Sequence, residues 1–224
     1  MNIRQIILPV LAVLISSSGM AQRLELFTSE SGKIVNEGKV QRIPYPRTTG
    51  FYDYISTTEK ADEVFDSHQY FFIYFIVPID VEEIGMRLIS PVPNYVFADA
   101  GDVETDAFLQ NTSRRDTFFD PWIGLDRADV PYEEGTFNAG VKVERWIKLG
   151  FSEDSHETIA QPTGKFTNPV LRISGKTFPA GLYRARISCL KKGNPIGSYV
   201  LQLGLIPGIK GIKMSRTQAG LIKS

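Results

Sequence analysis

Short segments in which apolar and polar side chains alternate constrain the fold of this chain more than any other feature. Residues 182–190 alternate strictly, with Tyr183, Ala185, Ile187 and Cys189 on the apolar row and Arg184, Arg186 and Ser188 on the polar row. A period of two places one row in a core and the other in water. The segment therefore predicts a half-buried β-strand. Residues 198–206 repeat the pattern, with Tyr199, Leu201, Leu203 and Leu205 on the apolar row.

Turn chemistry fills the stretch between these two segments. Residues 191–197 read KKGNPIG, which combines glycine, asparagine and proline, so we expect the two strands to form an antiparallel hairpin. Residues 70–79 are continuously apolar and rich in aromatic and β-branched side chains, which predicts a central strand covered on both faces. Residues 84–89 predict a further strand with Ile84, Met86 and Leu88 inward and Arg87 outward.

Two other segments are compatible with short helices. Residues 103–110 carry apolar side chains at helical spacing behind Asp102, which could cap a helix. Residues 118–127 suit a short helix or a turn around Pro121. Neither is long enough to change the class, because thirteen prolines and nineteen glycines divide the rest into short runs. The sequence predicts an all-β, jelly-roll-like antiparallel β-sandwich with short peripheral helices.

The N-terminal residues 1–21 have the features of a secretory signal peptide. Arg4 supplies a positive n-region, residues 6–15 are almost entirely apolar, and Gly19 and Ala21 offer small side chains for cleavage. The apolar run is about half the ~20 residues of a spanning helix, although a retained N-terminal anchor stays an alternative. We expect export to the periplasm, the cell surface or the medium, without lipidation of an N-terminal cysteine, because Cys189 is the only cysteine.

The rest of the chain contains no repeat and no linker long enough to divide it. We therefore assign residues 22–206 to one sandwich domain and residues 207–224 to a short basic tail. Residues 22–157 hold 25 acidic and 13 basic side chains, whereas residues 158–224 hold eleven basic and no acidic ones. Either the two segments neutralise each other in the fold, or they form a two-faced surface with a basic patch for an acidic partner. No nucleic-acid partner is expected of an exported chain whose basic region lacks interleaved aromatic residues.

Common catalytic motifs are missing from the sequence, including the nucleophile elbow, the zinc-protease helix and the phosphate-binding loops. The acidic stretch at residues 99–106 could supply paired carboxylates to a hydrolase, but one sequence does not select an acid and a base from it. Hard-cation binding is the better expectation, because Ca²⁺ takes oxygen ligands from flexible loops. We therefore expect a protein that is not an enzyme.

Four segments resemble, in the same order, the LipL surface-lipoprotein family, which includes the major outer-membrane surface lipoprotein of Leptospira. They are residues 79–91 (IDVEEIGMRLISP), residues 101–108 (GDVETDAF), residues 119–123 (FDPWI), and residues 181–184 (GLYR) with the later glycines Gly197 and Gly204. The resemblance covers roughly residues 50–212. It implies a single jelly-roll-like sandwich at the cell surface that binds Ca²⁺ and extracellular-matrix proteins such as collagen, laminin and fibronectin, without catalysis.

The resemblance also implies which residues bind the cation. Asp120 matches the family's first aspartate ligand, Glu153 and Asp154 remain of its longer acidic run, Pro121 replaces a threonine ligand, and Phe166 stands for a tyrosine. We expect Asp120, Glu153 and Asp154 to bind Ca²⁺ more weakly than the family site does. The expected contact residues for a macromolecular ligand are Lys191, Lys192, Lys210, Lys213 and Arg216. Two alternatives stay open: an envelope protein that associates with itself as a homo-oligomer, and a jelly-roll hydrolase.

Overall fold

A computed structural model describes residues 24, 26–36, 38–130, 142–153, 168–189 and 194–221. Within them the strands are β1 (Thr28–Asn36), β2 (Lys39–Pro44), β3 (Thr48–Ile55), β4 (Glu63–Phe65), β5 (His68–Val77), β6 (Glu83–Ile89), β7 (Val103–Glu104), β8 (Pro121–Ala128), β9 (Trp146–Ser152), β10 (Val170–Ile173), β11 (Gly181–Cys189), β12 (Gly197–Ile206) and β13 (Met214–Ser215). A short helix, α1 (Asp106–Gln110), and 3-10 turns at Thr112–Arg114 and Ala219–Leu221 complete the described elements.

Two mainly antiparallel sheets pack against each other. The first has the strand order β10-β6-β12-β3-β7, and the second has the order β13-β5-β11-β8-β9, with β4 paired to β5. Strands β1 and β2 form a separate hairpin. The all-β sandwich with short peripheral helices that the sequence predicts is therefore confirmed. No helix in the described part of the chain is long and apolar enough to cross a membrane.

The core between the sheets is built from the inward rows of the central strands. The apolar rows predicted for β11 and β12 both lie in it, since Tyr183, Ala185, Ile187, Tyr199, Leu201, Leu203 and Leu205 belong to one buried cluster. Ile84, Met86 and Leu88 of β6 join the cluster, as predicted. Strand β5 is also central, with buried side chains on its inner face and half-buried or buried ones on its outer face. Period-two patterning thus identified the core correctly.

The hairpin predicted from residues 182–190 and 198–206 is wrong. Strand β11 pairs with β5 and β8 in the second sheet, whereas β12 pairs with β3 and β6 in the first. The connection between β11 and β12 therefore passes from one sheet to the other. Alternation specifies which face of a strand is buried but not which strand lies beside it, and turn residues suit both kinds of connection.

The helical predictions need two corrections. Val103–Glu104 forms the edge strand β7, and Thr105, not Asp102, caps α1, because its hydroxyl accepts a hydrogen bond from Phe108 N at 3.2 Å. Residues predicted as a helix or turn around Pro121 instead form strand β8, in which Ile123 and Leu125 enter the core. Proline is tolerated as the first residue of a strand, and Pro121 occupies that position.

Residues predicted as a basic tail continue onto the sandwich. Met214–Ser215 pairs with Phe75 and Tyr74 of β5 and so extends the second sheet at its edge. Ile212 and Met214 are buried in the main core, and Leu221 packs on Leu182 at the outer face of the same sheet. The C-terminal segment therefore packs against the core, the edge and the outer face of the second sheet.

The N-terminal hairpin is attached to the first sheet by Tyr45 and Glu83. The Tyr45 ring lies over the cross-strand pair Gly85 and Gly204, where a Cβ atom would approach the ring to 2.3 and 2.5 Å. Glycine is required at both positions because only a backbone without a side chain leaves room for the ring. The buried Glu83 carboxylate accepts hydrogen bonds from Tyr45 Oη, from Ser31 N at 2.6 Å, from Ser31 Oγ at 2.5 Å and from Glu30 N at 2.7 Å.

These hydrogen bonds to Glu83 should make the free energy of unfolding depend on pH in the acid range. Burial acts to raise the pKa of Glu83, but donors from Ser31, Tyr45 and Glu30 outweigh it and hold the pKa below the ordinary 4.5. A depressed carboxyl pKa contributes stability that is fully present above 4.5 and is lost as pH falls through the folded-state value. Glu83→Gln should therefore destabilise the protein at pH 7 and flatten this acid limb in urea unfolding followed from pH 3 to 7. The matched change at the neighbouring exposed Glu82, Glu82→Gln, should leave the limb as it is; an identical limb in both variants would contradict the assignment.

Candidate functional site

Two of the three residues implied as cation ligands lie at one end of the second sheet. Asp120 is buried and immediately precedes β8, and Glu153 is exposed and immediately follows β9. Because Ile123 is opposite Ser152 in the β8–β9 register, continuing that register brings Glu153 opposite Trp122, two positions from Asp120. Residues two apart on a strand share a face, so the register brings the two carboxylates to the same end and face.

The third residue implied, Asp154, lies outside the described residues. Within the part that is described, no group of three His, Cys, Asp or Glu side chains is arranged to hold a metal ion. Asp120 and Glu153 supply oxygen donors of the type that Ca²⁺ takes, but fewer than the six to eight it requires. The described residues thus fit part of a calcium site, which backbone carbonyls and Asp154 would have to complete.

The residues expected to contact a ligand do not form one exposed set in the described part of the chain. Lys210 and Lys213 are exposed on the C-terminal segment, and Lys191 and Lys192 lie outside the described residues. Arg216 turns inward: its Nη1 donates to Asp53 Oδ2 at 2.9 Å, and its Nη2 lies 3.1 Å from Glu59 Oε1. Its guanidinium also lies over the Phe71 ring, 5.3 Å from the centroid.

The carboxylates of Asp53, Glu59 and Asp62 surround the Arg216 guanidinium. Asp53 is almost fully buried and also accepts hydrogen bonds from Tyr199 Oη at 2.7 Å and Thr105 Oγ1 at 2.5 Å. Burial raises the pKa of Glu59, which Arg216 in turn lowers. Burial also raises the pKa of the Tyr199 hydroxyl, which stays protonated and donates to Asp53. This cluster fixes the C-terminal segment against the sandwich, a structural role that explains why Arg216 points away from solvent.

The acidic stretch at residues 99–106 borders two adjoining clefts of about 250 and 600 Å³ at the edge of the first sheet. Asp99 and Asp102 line both clefts. The Asp102 carboxylate accepts hydrogen bonds from Gly50 N at 2.6 Å and from Asp99 N at 2.8 Å. The Asp102 side chain therefore connects its own loop to β3, which is a structural role.

Arginine and aromatic side chains in mutual contact cover the outer face of the second sheet. We call it the arginine–aromatic face; its members are Tyr70, Phe72, Trp122, Asp126, Trp146, Phe151, Arg184 and Arg186. In one row, Phe151 stacks on Trp122 with centroids 5.8 Å apart and planes 19° apart. The Arg186 guanidinium lies 5.1 Å from the Trp122 centroid and 6.0 Å from that of Tyr70. Both guanidinium–ring distances are within the range of cation–π attraction.

A second row runs parallel to the first. The Arg184 guanidinium is sandwiched between Phe72, 3.9 Å from its centroid, and Trp146, 4.3 Å from its centroid. Asp126 joins the rows, because Arg184 Nε donates to its Oδ2 at 2.9 Å and Arg186 Nε to its Oδ1 at 3.0 Å. The Asp126 side chain is 0% exposed and each arginine is 11% exposed. Both cations are therefore ordered before any ligand arrives.

The first row is closely packed on its inner side and accessible at its edge. Gly124 lets the Trp122 ring and the Arg186 guanidinium pack directly on the backbone, because a Cβ atom there would lie 2.8 Å from the indole ring and 2.9 Å from the guanidinium. The Phe151 ring at the strand edge is 61% exposed. The second row is more enclosed, because Trp146 packs with the cluster that contains Leu221 of the C-terminal segment.

Sequence reasoning missed this face. It assigned Arg184, Arg186 and Ser188 to water, whereas the two arginines are half-buried and Ser188 is 1% exposed. The available signal was a second alternation, Tyr70, Phe72 and Tyr74, on the outward row of the strand predicted at residues 70–79. This aromatic row lies beside Arg184 and Arg186 only because β5 and β11 are neighbouring strands, and the strand pairing in the structure shows that they are.

Comparison with known proteins adds the family. The chain matches, over residues 39–214, a family model described as Lipl32, surface lipoprotein of the Spirochaetales order. A comparison with curated proteins gives no significant match. The matched range contains β2 through the start of β13 and includes both rows of the arginine–aromatic face. The chain therefore belongs to the Lipl32 family of spirochaete surface lipoproteins.

Proposed function

We propose that this protein is an exported, non-catalytic protein of the cell surface or envelope that binds a macromolecular ligand through the arginine–aromatic face. The observation that carries the proposal is the open row in which Arg186 is stacked on Trp122 beside the exposed Phe151. Aromatic and arginine side chains dominate the energy of macromolecular recognition. The Phe151 ring, 61% exposed, adds an apolar contact surface beside the cation.

The class of ligand follows from the family resemblance, which implies extracellular-matrix proteins such as collagen, laminin and fibronectin. The family description supports a location at the cell envelope or surface, and residues 1–21 support export by a signal peptide. The exposed Lys210 and Lys213, together with Lys191 and Lys192, are proposed as a second, electrostatic contact.

Binding of immobilised matrix proteins by the purified full chain tests the proposal. Phe151→Ala removes an exposed ring that stacks on Trp122 outside the core. The substitution should therefore weaken binding without unfolding the protein. The matched control is Leu109→Ala, which removes a 49% exposed apolar side chain on α1, beside the first sheet. Equal binding by the two variants, or no binding to any matrix protein, would contradict the proposed face.

Calcium assistance through Asp120, Glu153 and Asp154 is a further part of the proposal. A ligand that binds only the folded state at a hundred times its Kd stabilises it by about 2.7 kcal/mol. For a chain of this size we expect millimolar calcium to raise Tm by about 5–10 °C. Differential scanning fluorimetry with calcium, with magnesium and with chelator measures the shift, and Asp120→Asn should abolish it. A Tm that calcium leaves unchanged would remove the calcium site.

Self-association is a second candidate function, favoured by the hairpin β1–β2. It forms a sheet of its own in which Ile34, Val35 and Val40 are 53%, 69% and 63% exposed. An isolated hairpin with exposed β-branched side chains can pair with another strand. Sedimentation velocity should show a concentration-dependent oligomer that Val35→Lys dissolves; a monomer at every concentration would exclude this function.

A further inference from the structure

We infer that the open row of the arginine–aromatic face binds an acidic glycan, with the Arg186 guanidinium receiving the carboxylate of a uronic acid and Phe151 contacting the adjoining sugar ring. The inference rests on the proposed function, because it uses the same face, and adds an acidic glycan to the matrix proteins proposed above. Its basis is the combination of an ordered cation with unused donors and an exposed ring on one side of it.

Arg186 has hydrogen-bonding capacity left over. Asp126 is its only hydrogen-bond acceptor among the described residues, and Nε makes that bond. The guanidinium carries five N–H donors in a planar fork that fits a carboxylate. The terminal nitrogens therefore have no acceptor among the described residues, and the side chain is 11% exposed, while the bond to Asp126 and the stack on Trp122 hold the plane in place. A preordered donor loses little entropy when a ligand binds.

The charges on this face favour an anion. Lys148 faces the same side as Asp126, because the two are register partners. Arg184, Arg186 and Lys148 then outnumber the carboxylates of Asp126 and of Glu63, which lies 4.0 Å from Arg184. Asp120 and Glu153 border the row on the side of Trp122. At the guanidinium groups themselves the charge is positive, because Arg184 and Arg186 share the single carboxylate of Asp126.

The aromatic side chains suit a sugar more than a small inorganic anion. The pair Phe151 and Trp122 presents apolar surface directly beside the cation, and a pyranose ring has one face of C–H groups and a rim of hydroxyls. Phe151 on β9 and Arg186 on β11 are two strand spacings apart, about 10 Å. This separation requires a ligand longer than one sugar unit, with its negative charge at one point and its apolar face at another.

The experiment measures binding of hyaluronan oligosaccharides, which carry uronates and no sulfate, to the full chain by isothermal titration calorimetry. Carboxyl-reduced hyaluronan is the neutral matched probe. A charged hydrogen-bonded contact is worth about tenfold or more in affinity, so Arg186→Gln and carboxyl reduction should each weaken binding about tenfold. Arg186→Lys, which keeps the charge and loses the fork, should recover only part of it. Phe151→Ala should weaken binding of both probes.

Two controls keep the result interpretable. Arg145→Gln removes a 73% exposed arginine of a surface ion pair and should leave binding unchanged. Urea unfolding of each variant separates lost binding from lost structure, and Phe151→Ala tests the same row should Arg186→Gln unfold. Equal affinity for the neutral probe, or unchanged affinity in a folded Arg186→Gln protein, would overturn the inference. Binding to matrix proteins without binding to hyaluronan would overturn it and leave the proposed function standing; binding to neither would overturn both.

Discussion

Replacing Asp126 by asparagine is expected to lower the free energy of unfolding by about 3 kcal/mol. Asp126 is 0% exposed and forms ion pairs with two arginines that are each 11% exposed. The asparagine keeps the shape of the side chain but removes the ion-pair partner of Arg186 and leaves Arg184 with only Glu63, 4.0 Å away. Removing one partner of a buried ion pair costs more than the pair contributes, because the remaining charge stays desolvated. The midpoint of urea unfolding at pH 7 measures the loss.

Asp129→Asn is the matched control. Asp129 pairs with Arg145 just beyond the end of β8, but the side chains are 41% and 73% exposed. Exposed pairs contribute about 0–1 kcal/mol, so this variant should unfold close to the parent protein. A similar, small loss from both substitutions would mean that Arg184 and Arg186 are held by their ring contacts alone, and would weaken the argument that Arg186 is ordered before ligand binding.

Predicting the fold from sequence succeeded where a side chain depends only on its own strand. The inward rows of β6, β11 and β12 were read correctly, since alternation directly reports which face is buried. Prediction failed where the outcome depends on a distant strand. Arg184 looked like a solvent-facing residue until β8 and β5 supplied Asp126 and Phe72 on either side of it. The requirement for glycine at Gly85 and Gly204, beneath the Tyr45 ring, could not be predicted for the same reason.

The candidate cation site shows what family resemblance adds to such reasoning. Asp120 and Glu153 are 33 positions apart, and nothing in their local patterns connects them. The resemblance named both residues, and the antiparallel pairing of β8 with β9 places them at the same end of the second sheet. The resemblance did not predict the ion pairs of Arg216. Its place in a basic segment led us to expect this side chain at the surface. The positive charge of that segment is instead matched partly by carboxylates from the acidic portion of the chain, namely the buried Asp53 and the half-buried Glu59.

Removing the Arg216 side chain should therefore affect the fold first. We expect Arg216→Ala to cost about 3 kcal/mol at pH 7, because Asp53, which is 3% exposed, would lose its cation beside Glu59 and Asp62. Strand β13 should lose protection with it, because Met214–Ser215 is held at the edge of β5 by two residue pairs. Urea unfolding and amide hydrogen exchange at Met214 and Ser215 measure the two effects.

The pH dependence separates this charge effect from lost packing on Phe71. Burial raises the pKa of Glu59 above the ordinary 4.5 and Arg216 lowers it, so in Arg216→Ala it should rise further. A raised carboxyl pKa contributes stability that is present below the unfolded value and is lost as pH rises through the folded value. The difference between variant and parent should accordingly shrink from pH 7 toward pH 4, whereas a packing loss would not change. Lys210→Ala, at an exposed position of the same segment, should cost almost no stability; a folded Arg216→Ala that only loses ligand binding would instead establish Arg216 as a contact residue.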